Sequence, residues 1–392
     1  MRRPLRDGFT TGTAATGAAM AALSLLLDGT PPERVQVPLP PLTEDAQGRV
    51  HPRGHLSLEV EDCSLGPAPD VAVTCGGPVA HGTVRKDGGD DPDVTHGALI
   101  HATVALDGPI GRFAPESGSA AGIPAIAPVV RIEGGPGIGR VTLPGLPVPV
   151  GEAAINPVPR AQLRHAMAAC AAARPDVLCP PLTVVLSVPE GERLASRTLG
   201  PRLGIRGGIS ILGTQGTSRP FSHDAWRAAI DQALAVARHE GTTVCLSTGR
   251  RSEALLQSRH PGLAPCQFVQ AGDMAGYALE AAGRAGFERI AWGCFFGKLL
   301  KFAQGMASTH VRDGDLRWEP LALRCRREGV PEGTIQGCTT AAAALERLLA
   351  VPGGMGVVAA TGREAALRAG TFAGRPVAVH LFTAEGICIW ES

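Results

Sequence analysis

Apolar positions follow two rhythms along this chain. Up to about residue 218 they come in short runs bounded by Gly and Pro: RVQVPLP (34–40), HLSLEVEDC (55–63), DVAVTC (70–75), LIHATVAL (99–106), GRVTLPG (139–145) and LTVVLSVPEG (182–191). Aliphatic and β-branched runs of that length between turn residues predict strands. Two longer stretches interrupt them. AAMAALSLLL (18–27) predicts a helix capped by Thr10, Thr11 or Thr13 and ended by Gly29, and PRAQLRHAMAACAAA (159–173) predicts another with Pro159 in its first turn.

Beyond residue 220 the rhythm changes. SHDAWRAAIDQALAVARHEG (222–241), RRSEALLQSRH (250–260), DMAGYALEAAGRAG (273–286) and GKLLKFAQGM (297–306) have helical spacing, and TTVCLST (242–248), PCQFVQA (265–271) and ERIAWGC (288–294) between them read as strands. Such alternation predicts right-handed βαβ crossovers and a mainly parallel sheet covered on both faces. The fold class that follows is an α+β N-terminal domain over 1–218, then an α/β Rossmann-like domain over 219–392 with a mainly parallel, doubly wound sheet. The first carries the motifs KDGGDDPDVTHG and GGISILG. The second ends in a tail containing GCTTAAAALERLLA (337–350), a helix capped by Thr339 or Thr340, and PVAVHLFTAEGICIW (376–390). In open α/β sheets ligands bind at the carboxyl ends of the strands. That rule points to Thr248–Gly249, Gly272–Asp273 and Gly293–Gly297 as a ligand site.

Composition narrows the function classes. A net charge of +1 argues against a broad nucleic-acid surface, and no apolar run is long enough to span a bilayer. The ten cysteines lie apart without a C-x-x-C pair, so neither a zinc knuckle nor a thioredoxin motif is visible, and no protein-bound metal is expected. Scattered thiols suit a reducing cytoplasm. The start has arginines before an apolar run, as a signal peptide does. Asp7 and a Thr/Gly cluster separate the two, however, and DGTPPE follows where a small-residue cleavage site belongs, so a buried helix is expected.

Residue usage adds a pointer to chemistry. Lysine occurs only at Lys86, Lys298 and Lys301, so arginine supplies almost all of the 37 basic residues; Asn156 is the only asparagine and Tyr277 the only tyrosine. A GC-rich genome explains such depletion. Arginine is a planar fork that keeps its proton, and lysine is a compact ammonium, so a surviving lysine marks a place where lysine is needed. One place is VRKDGGDDPDVTHG (84–97), with Lys86, Asp87, Asp90, Asp91, Asp93 and His96 about the bend Gly88–Gly89. A calcium loop counted from Asp87 fails, because Pro92 and Ala98 stand where Gly and Glu are required. Clustered like charges predict raised aspartate pKa values, useful to a general base; the plainer reading is a solvated turn with Asp93 or Thr95 capping a helix. The other place is GCFFGKLLKFAQG (293–305), where Lys298 and Lys301 share a helical face just past a strand end and His310, Arg312, Asp313 and Asp315 follow. That pattern predicts an anionic ligand. RLGIRGGISILGTQG (202–216) and GGPGIGR (134–140) lack G-x-G-x-x-G and read better as strands and turns than as phosphate loops.

Six blocks together, FTTGTAATGAA (9–19), VRKDGGDDPDVTHGALI (84–100), GGPGIGRVTLPGLPVPVGEAAINPVPR (134–160), PEGERLASRTLGPRLGIRGGISILGTQG (189–216), GKLLKFAQGMASTH (297–310) and CTTAAA (338–343), resemble the CbiD family. Its members are cobalt-precorrin-5B C(1)-methyltransferases of cobalamin biosynthesis. The resemblance implies methyl transfer from S-adenosylmethionine to C-1 of a tetrapyrrole that bears acetate and propionate groups. It implies catalytic roles among Lys86, Asp87, Asp90, Asp91, His96 and His310. Donor contacts are implied at Thr248, Gly249, Gly272, Asp273, Gly293 and Gly297, and substrate contacts at Thr10, Thr11, Asn156, Arg160, Lys298 and Lys301. A homo-oligomer and neighbouring cobalamin-pathway enzymes stand as candidate partners in the cytoplasm. Where the family often has Cys, a G-N-H/Y-G turn, a Ser-Asn-Phe turn and the His of G-H-x-G-K, this chain has Ala14, Thr248–Arg251, Gly272–Met274 and Cys294. Three alternatives follow. The chain is a non-catalytic corrinoid carrier or scaffold, it methylates the metal-free precorrin, or it is a nucleotide-dependent oxidoreductase; the last lacks G-x-G-x-x-G after any strand.

Overall fold

The computed structural model describes residues 5–47, 49–67, 76–112, 127–220, 222–310 and 314–392. The run DVAVTC and residues Arg312 and Asp313 lie outside them. Two compact units, Met1–Ser222 and His223–Ser392, divide the chain. The content is mixed α and β, with several sheets.

The first unit is built about helix α1 (Thr11–Asp28). Thr10 Oγ1 accepts from the Thr13 amide at 3.2 Å, and Gly29 ends the helix at φ 77°, as cap chemistry requires. Its residues are small and buried almost all round, which suits a helix enclosed on several sides. Strands β1 (Arg34–Glu44) and β2 (Val50–Glu59) form an antiparallel hairpin. A five-stranded sheet follows from β3 (Asp62–Leu65), β4 (Val79–Arg85), β5 (Leu99–Leu106), β6 (Val130–Gly134) and β7 (Leu182–Ser187), in spatial order β3-β4-β5-β7-β6. Only the β7–β6 pair is parallel. Gly82 sets the fit of helix to sheet, because a Cβ there would lie 2.1 Å from the Ala18 carbonyl oxygen. Helix α2 (Pro157–Ala172) packs beside α1, with Leu163, Ala166 and Met167 in the same core. The run GRVTLPG forms only the two-residue strand Arg140–Val141, paired with Ile205–Arg206. Within GGISILG, Gly208–Ile209 pairs in parallel with Gly137–Ile138, and Ile209 and Ile211 are buried.

The second unit is a five-stranded sheet with helices on both faces. Its elements are α3 (His223–Glu240), β8 (Thr243–Ser247), α4 (Arg250–Arg259), β9 (Phe268–Gln270), α5 (Ala275–Arg284), β10 (Arg289–Phe295), α6 (Phe296–Ala303), α7 (Trp318–Arg327), α8 (Ala341–Leu349), α9 (Gly354–Ala373), β11 (Val377–Phe382) and β12 (Cys388–Glu391). The order is β9-β8-β10-β11-β12, parallel except for the last pair. Alternation sorts the side chains by face. Val244, Leu246, Ile290, Trp292, Val379 and Leu381 meet the core under α3, α5, α6 and α9; Cys245, Ala291 and Phe382 meet Leu256 of α4. Helices α7 and α9 were absent from the sequence-based expectation. Helix α9 holds Gly354, Gly356, Gly362 and Gly370, and Gly362 is where the Trp390 ring seats, a Cβ there lying 2.5 Å from a ring carbon.

Candidate functional site

In the first unit the segment 84–97 is a compact turn folded around a buried ammonium. Lys86 is 1% exposed; its Nζ donates to Asp93 Oδ2 at 2.7 Å and to the Asp87 carbonyl at 3.3 Å, and sits 5.9 Å from the centre of the Phe9 ring. Asp93 also accepts from the Thr95 amide (2.8 Å) and hydroxyl (2.7 Å). It therefore closes a turn, and no helix follows. Burial pushes the Asp93 carboxyl up, but the Lys86 charge and hydrogen bond, with those from Thr95, hold it below the ordinary range.

Asp87 and Asp90 are tied to the N-terminal arm, and Asp91 to Ser218. Arg6 pairs with Asp87 through both oxygens, and the Gly89 amide donates to Asp87 at 2.8 Å. The Arg6 guanidinium leads in holding Asp87 down to about 2. The Arg6 amide donates to Asp90 Oδ2 at 2.6 Å, and the Ser218 hydroxyl to Asp91 Oδ2 at 3.3 Å. Gly8 lies flat on this turn: a Cβ would meet Asp87 O at 2.4 Å. The expectation of raised aspartate pKa values is thus corrected for Asp87 and Asp93, because each like-charge neighbour is outweighed by a cation in contact. Lys86, buried and paired, positions the turn rather than facing a ligand. His96 is the exception in reach. Its Nδ1 accepts from the Gly88 amide at 3.0 Å, which leaves the proton on Nε2 of a half-exposed side chain.

Three residues expected to bind substrate are engaged within the chain. The Thr10 hydroxyl caps α1; the Thr11 hydroxyl is buried against the Ser210 and Leu212 carbonyls, and accepts from the Leu212 amide at 3.0 Å. Arg160 Nε donates to the Ile155 carbonyl at 2.8 Å, its terminal nitrogens reach Ile132 O, Ala153 O and Glu152, and burial lowers its pKa. It anchors α2. Asn156 begins α2 without capping it and is half-buried.

In the second unit a cavity of about 900 Å³ opens at the carboxyl ends of β8 and β10. Its wall includes Thr248–Ser252 at the start of α4, Phe295, Gly297, Lys298 and Lys301 at α6, then Asp315, Leu316 and Trp318, and Thr339 and Ala341 at α8. Strands β8 and β10 are neighbours, while β9, between them in sequence, lies outside β8. This is where strand order reverses, the place at which doubly wound sheets leave a crevice. Lys298 Nζ pairs with Asp273 and donates to the Thr309 carbonyl at 3.2 Å; Lys301 Nζ donates to Thr309 O at 3.4 Å and to Gly314 O at 3.0 Å. Each ammonium thus has two acceptors among the described residues and three N–H donors. Asp273 also stands 4.0 Å from His310 Nε2. Arg251 stacks 5.2 Å over Phe295 and donates to the Ala384 carbonyl at 2.6 Å.

The structure therefore gathers Thr248, Gly249, Gly297, Lys298 and Lys301 around one cavity, with Asp273 paired to Lys298 and His310 4.0 Å from Asp273. Two residues expected to bind donor serve packing instead. Gly293 faces Leu256 of α4, where a Cβ would lie 2.7 Å away, and Gly272 faces the Trp226 ring at 2.9 Å. Cys294 is wholly buried, and burial pushes its thiol far up, so it belongs to the core. Phe295 falls within the expected Gly293–Gly297 segment, and sequence reasoning passed over Arg250, Leu316 and Trp318 as cavity residues. Arg250 follows the end of β8 by three residues, a spacing that would have found it.

The chain matches the CbiD family model over residues 1–220. It is 46% identical to the cobalt-precorrin-5B C(1)-methyltransferase of Nitratidesulfovibrio vulgaris, over 98% of this chain and 92% of that one. It is 40% identical to the protein of the same name from Geobacillus kaustophilus, over 87% and 82%. A crystal structure of a cobalamin biosynthesis protein (cbiD) from Archaeoglobus fulgidus aligns with 24% identity over 83% of this chain and 85% of the other, at a TM-score of 0.36.

Proposed function

This chain belongs to the CbiD family, and from that membership we propose that it is an enzyme of cobalamin biosynthesis, transferring a methyl group from S-adenosylmethionine to C-1 of cobalt-precorrin-5B. One observation carries the reading. A protein 46% identical over almost the whole of both chains is a cobalt-precorrin-5B C(1)-methyltransferase.

The cavity of the second unit supports it. At about 900 Å³ it is near the upper end of small-molecule sites, large enough for a cofactor together with part of a macrocycle. Phe295, Leu316 and Trp318 offer apolar surface, while Arg250, Arg251, Lys298 and Lys301 outnumber the one lining carboxylate, Asp315. That balance suits a ligand edged with carboxylates in a protein of nearly neutral charge. Thr248, Gly249 and Gly297 would hold the methyl donor, whose sulfonium supplies an already activated methyl group. Lys298 and Lys301 would each turn their remaining N–H toward a substrate carboxylate. Asp273 fixes Lys298 and, through His310, gives that wall a group able to move a proton. The protein's main task is alignment, and positioning of this kind contributes on the order of 7–11 kcal/mol. Lys86, Asp87, Asp90 and Asp91 keep the turn that presents the His96 Nε2–H.

The test is calorimetric titration with S-adenosylmethionine, alone and with cobalt-precorrin-5B present, followed by mass analysis of the corrinoid. Donor binding and a gain of one methyl are expected. Corrinoid binding without donor binding in either condition would make the protein a carrier whose turn Thr248–Arg251 no longer accepts the donor.

A further inference from the structure

A cluster on the last two strands has no part in that reading. His380, in the middle of β11, is only 6% exposed, yet neither ring nitrogen has a hydrogen-bond partner among the described residues. Glu391 Oε2 stands 3.5 Å from its Nδ1, out of hydrogen-bonding line. A buried polar group left in this state is costly and calls for a ligand. Two further donors converge on it. Cys388 and Glu391 are three apart on β12, a spacing that on a regular strand sends side chains to opposite faces. The register instead runs His380 to Glu391, Leu381 to Trp390 and Phe382 to Cys388, so Ile389 is an extra residue. The bulge brings Cys388 and Glu391 to the face of His380. One ligand atom from each residue then lies within 4.8 Å of the others.

We propose that His380, Cys388 and Glu391 form a divalent-cation site of the zinc class that clips the edge strand β12 to β11. The mixed imidazole, thiolate and carboxylate set is what zinc takes, with bonds of about 2.0–2.3 Å. Tetrahedral bonds of that length hold ligand atoms roughly 3.3–3.7 Å apart, so closure requires shifts of about 1 Å. The surroundings fit. Arg259 pairs with Glu391 Oε2, the oxygen that also faces His380 Nδ1, and so fixes where the carboxylate sits. His260 packs edge-on to His380 at 5.6 Å, and its own buried Nε2 has no partner among the described residues, which places a second imidazole beside the site. Binding displaces the Cys388 proton to solvent.

The experiment uses the full chain, stripped with chelator and titrated with cobalt(II) as a spectroscopic probe, then with zinc(II) against a chromophoric competitor. One cobalt per chain with a thiolate-to-cobalt charge-transfer band is expected. Cys388→Ser should abolish the band, while Cys338→Ser, at another partly exposed cysteine, should leave it unchanged. His380→Gln and the exposed Glu391→Gln should each weaken zinc binding at least about tenfold. Glu391→Gln keeps the test readable if the buried substitution prevents folding. No thiolate band in the unaltered chain, a band that survives Cys388→Ser, or zinc affinity unchanged in Glu391→Gln would each overturn the proposal.

Discussion

Lys86→Met removes a buried ammonium and keeps most of its stem. Lys86 is 1% exposed, and its partner Asp93 retains 22% side-chain exposure. Removing one member of a buried pair costs about 3–5 kcal/mol. Asp93 keeps its two bonds from Thr95 and some contact with water, so the lower end applies, about 3 kcal/mol. For a unit spanning Met1–Ser222, at about 2–4 °C per kcal/mol, the midpoint falls by roughly 6–12 °C. Lys86→Met with Asp93→Asn removes both charges and leaves an acceptor for Thr95, so it should recover at least half of the loss. The pH dependence fixes the cause. The folded Asp93 pKa lies below its unfolded value, so the pair's stabilisation is fully present above about pH 4 and is lost as pH falls through the folded value. Scanning calorimetry of the three proteins from pH 7 to pH 3 reads all of this. A single variant within about 2 °C of the parent at pH 7, a gap that stays constant down to pH 3, or a double variant no better than the single would refute the reasoning.

Other changes test other joints. Gly82→Ala puts a Cβ 2.1 Å from the Ala18 carbonyl oxygen, and α1 must lift from the sheet at a cost of about 1–3 kcal/mol or more; thermal melts should show it clearly, and a parent-like midpoint would contradict the close approach. Thr340→Ala deletes the hydroxyl that accepts from the Ala343 amide at 3.2 Å, so it should cost about 1 kcal/mol, measured by denaturant titration. Arg6→Ala frees Asp87 from the guanidinium that leads in holding it at about 2, so a modest loss of stability at pH 6 should fade as pH falls toward that value; equilibrium unfolding at both pH values checks it. Lys298→Arg should lower kcat/KM about tenfold or more while leaving the melting temperature within a few degrees, because the fork cannot serve Asp273, the Thr309 carbonyl and a substrate carboxylate from one point; unchanged turnover would remove Lys298 from the site.

The legible part of the fold is the part in which local pattern and tertiary demand agree. LIHATVAL is β5 from end to end, because one buried aliphatic run between turns admits no other element. Thr10, Gly29 and Thr340 cap helices for reasons confined to a few neighbouring atoms. The misreadings occur where distant residues decide. Helix α9 was absent from the sequence-based expectation, and Trp390 is laid across its Gly362. GRVTLPG is apolar enough for a strand, yet only Arg140–Val141 finds a partner, since Gly204 accepts from Thr142 through both its amide and its hydroxyl.

The site was legible to the same limit. Scarcity of lysine located two segments, and in both the ammonium is used as a compact donor with several acceptors around one point: Asp93 and Asp87 O at Lys86, Asp273 and Thr309 O at Lys298, Thr309 O and Gly314 O at Lys301. An arginine fork spreads its donors over a plane and fits none of these sites. Rarity pointed to both places, and burial separates them. Lys86 is enclosed, and both of its acceptors belong to its own turn. Lys298 is 31% exposed, and with Lys301 it lines the cavity. Adjacent carboxylates were read as raising one another's pKa because sequence shows neighbours along the chain; Arg6, some eighty residues away, reverses that sign at Asp87. A cluster of like charges in a sequence is thus a question about which cation folds onto it, and only those left without one retain the raised pKa that acid–base chemistry needs.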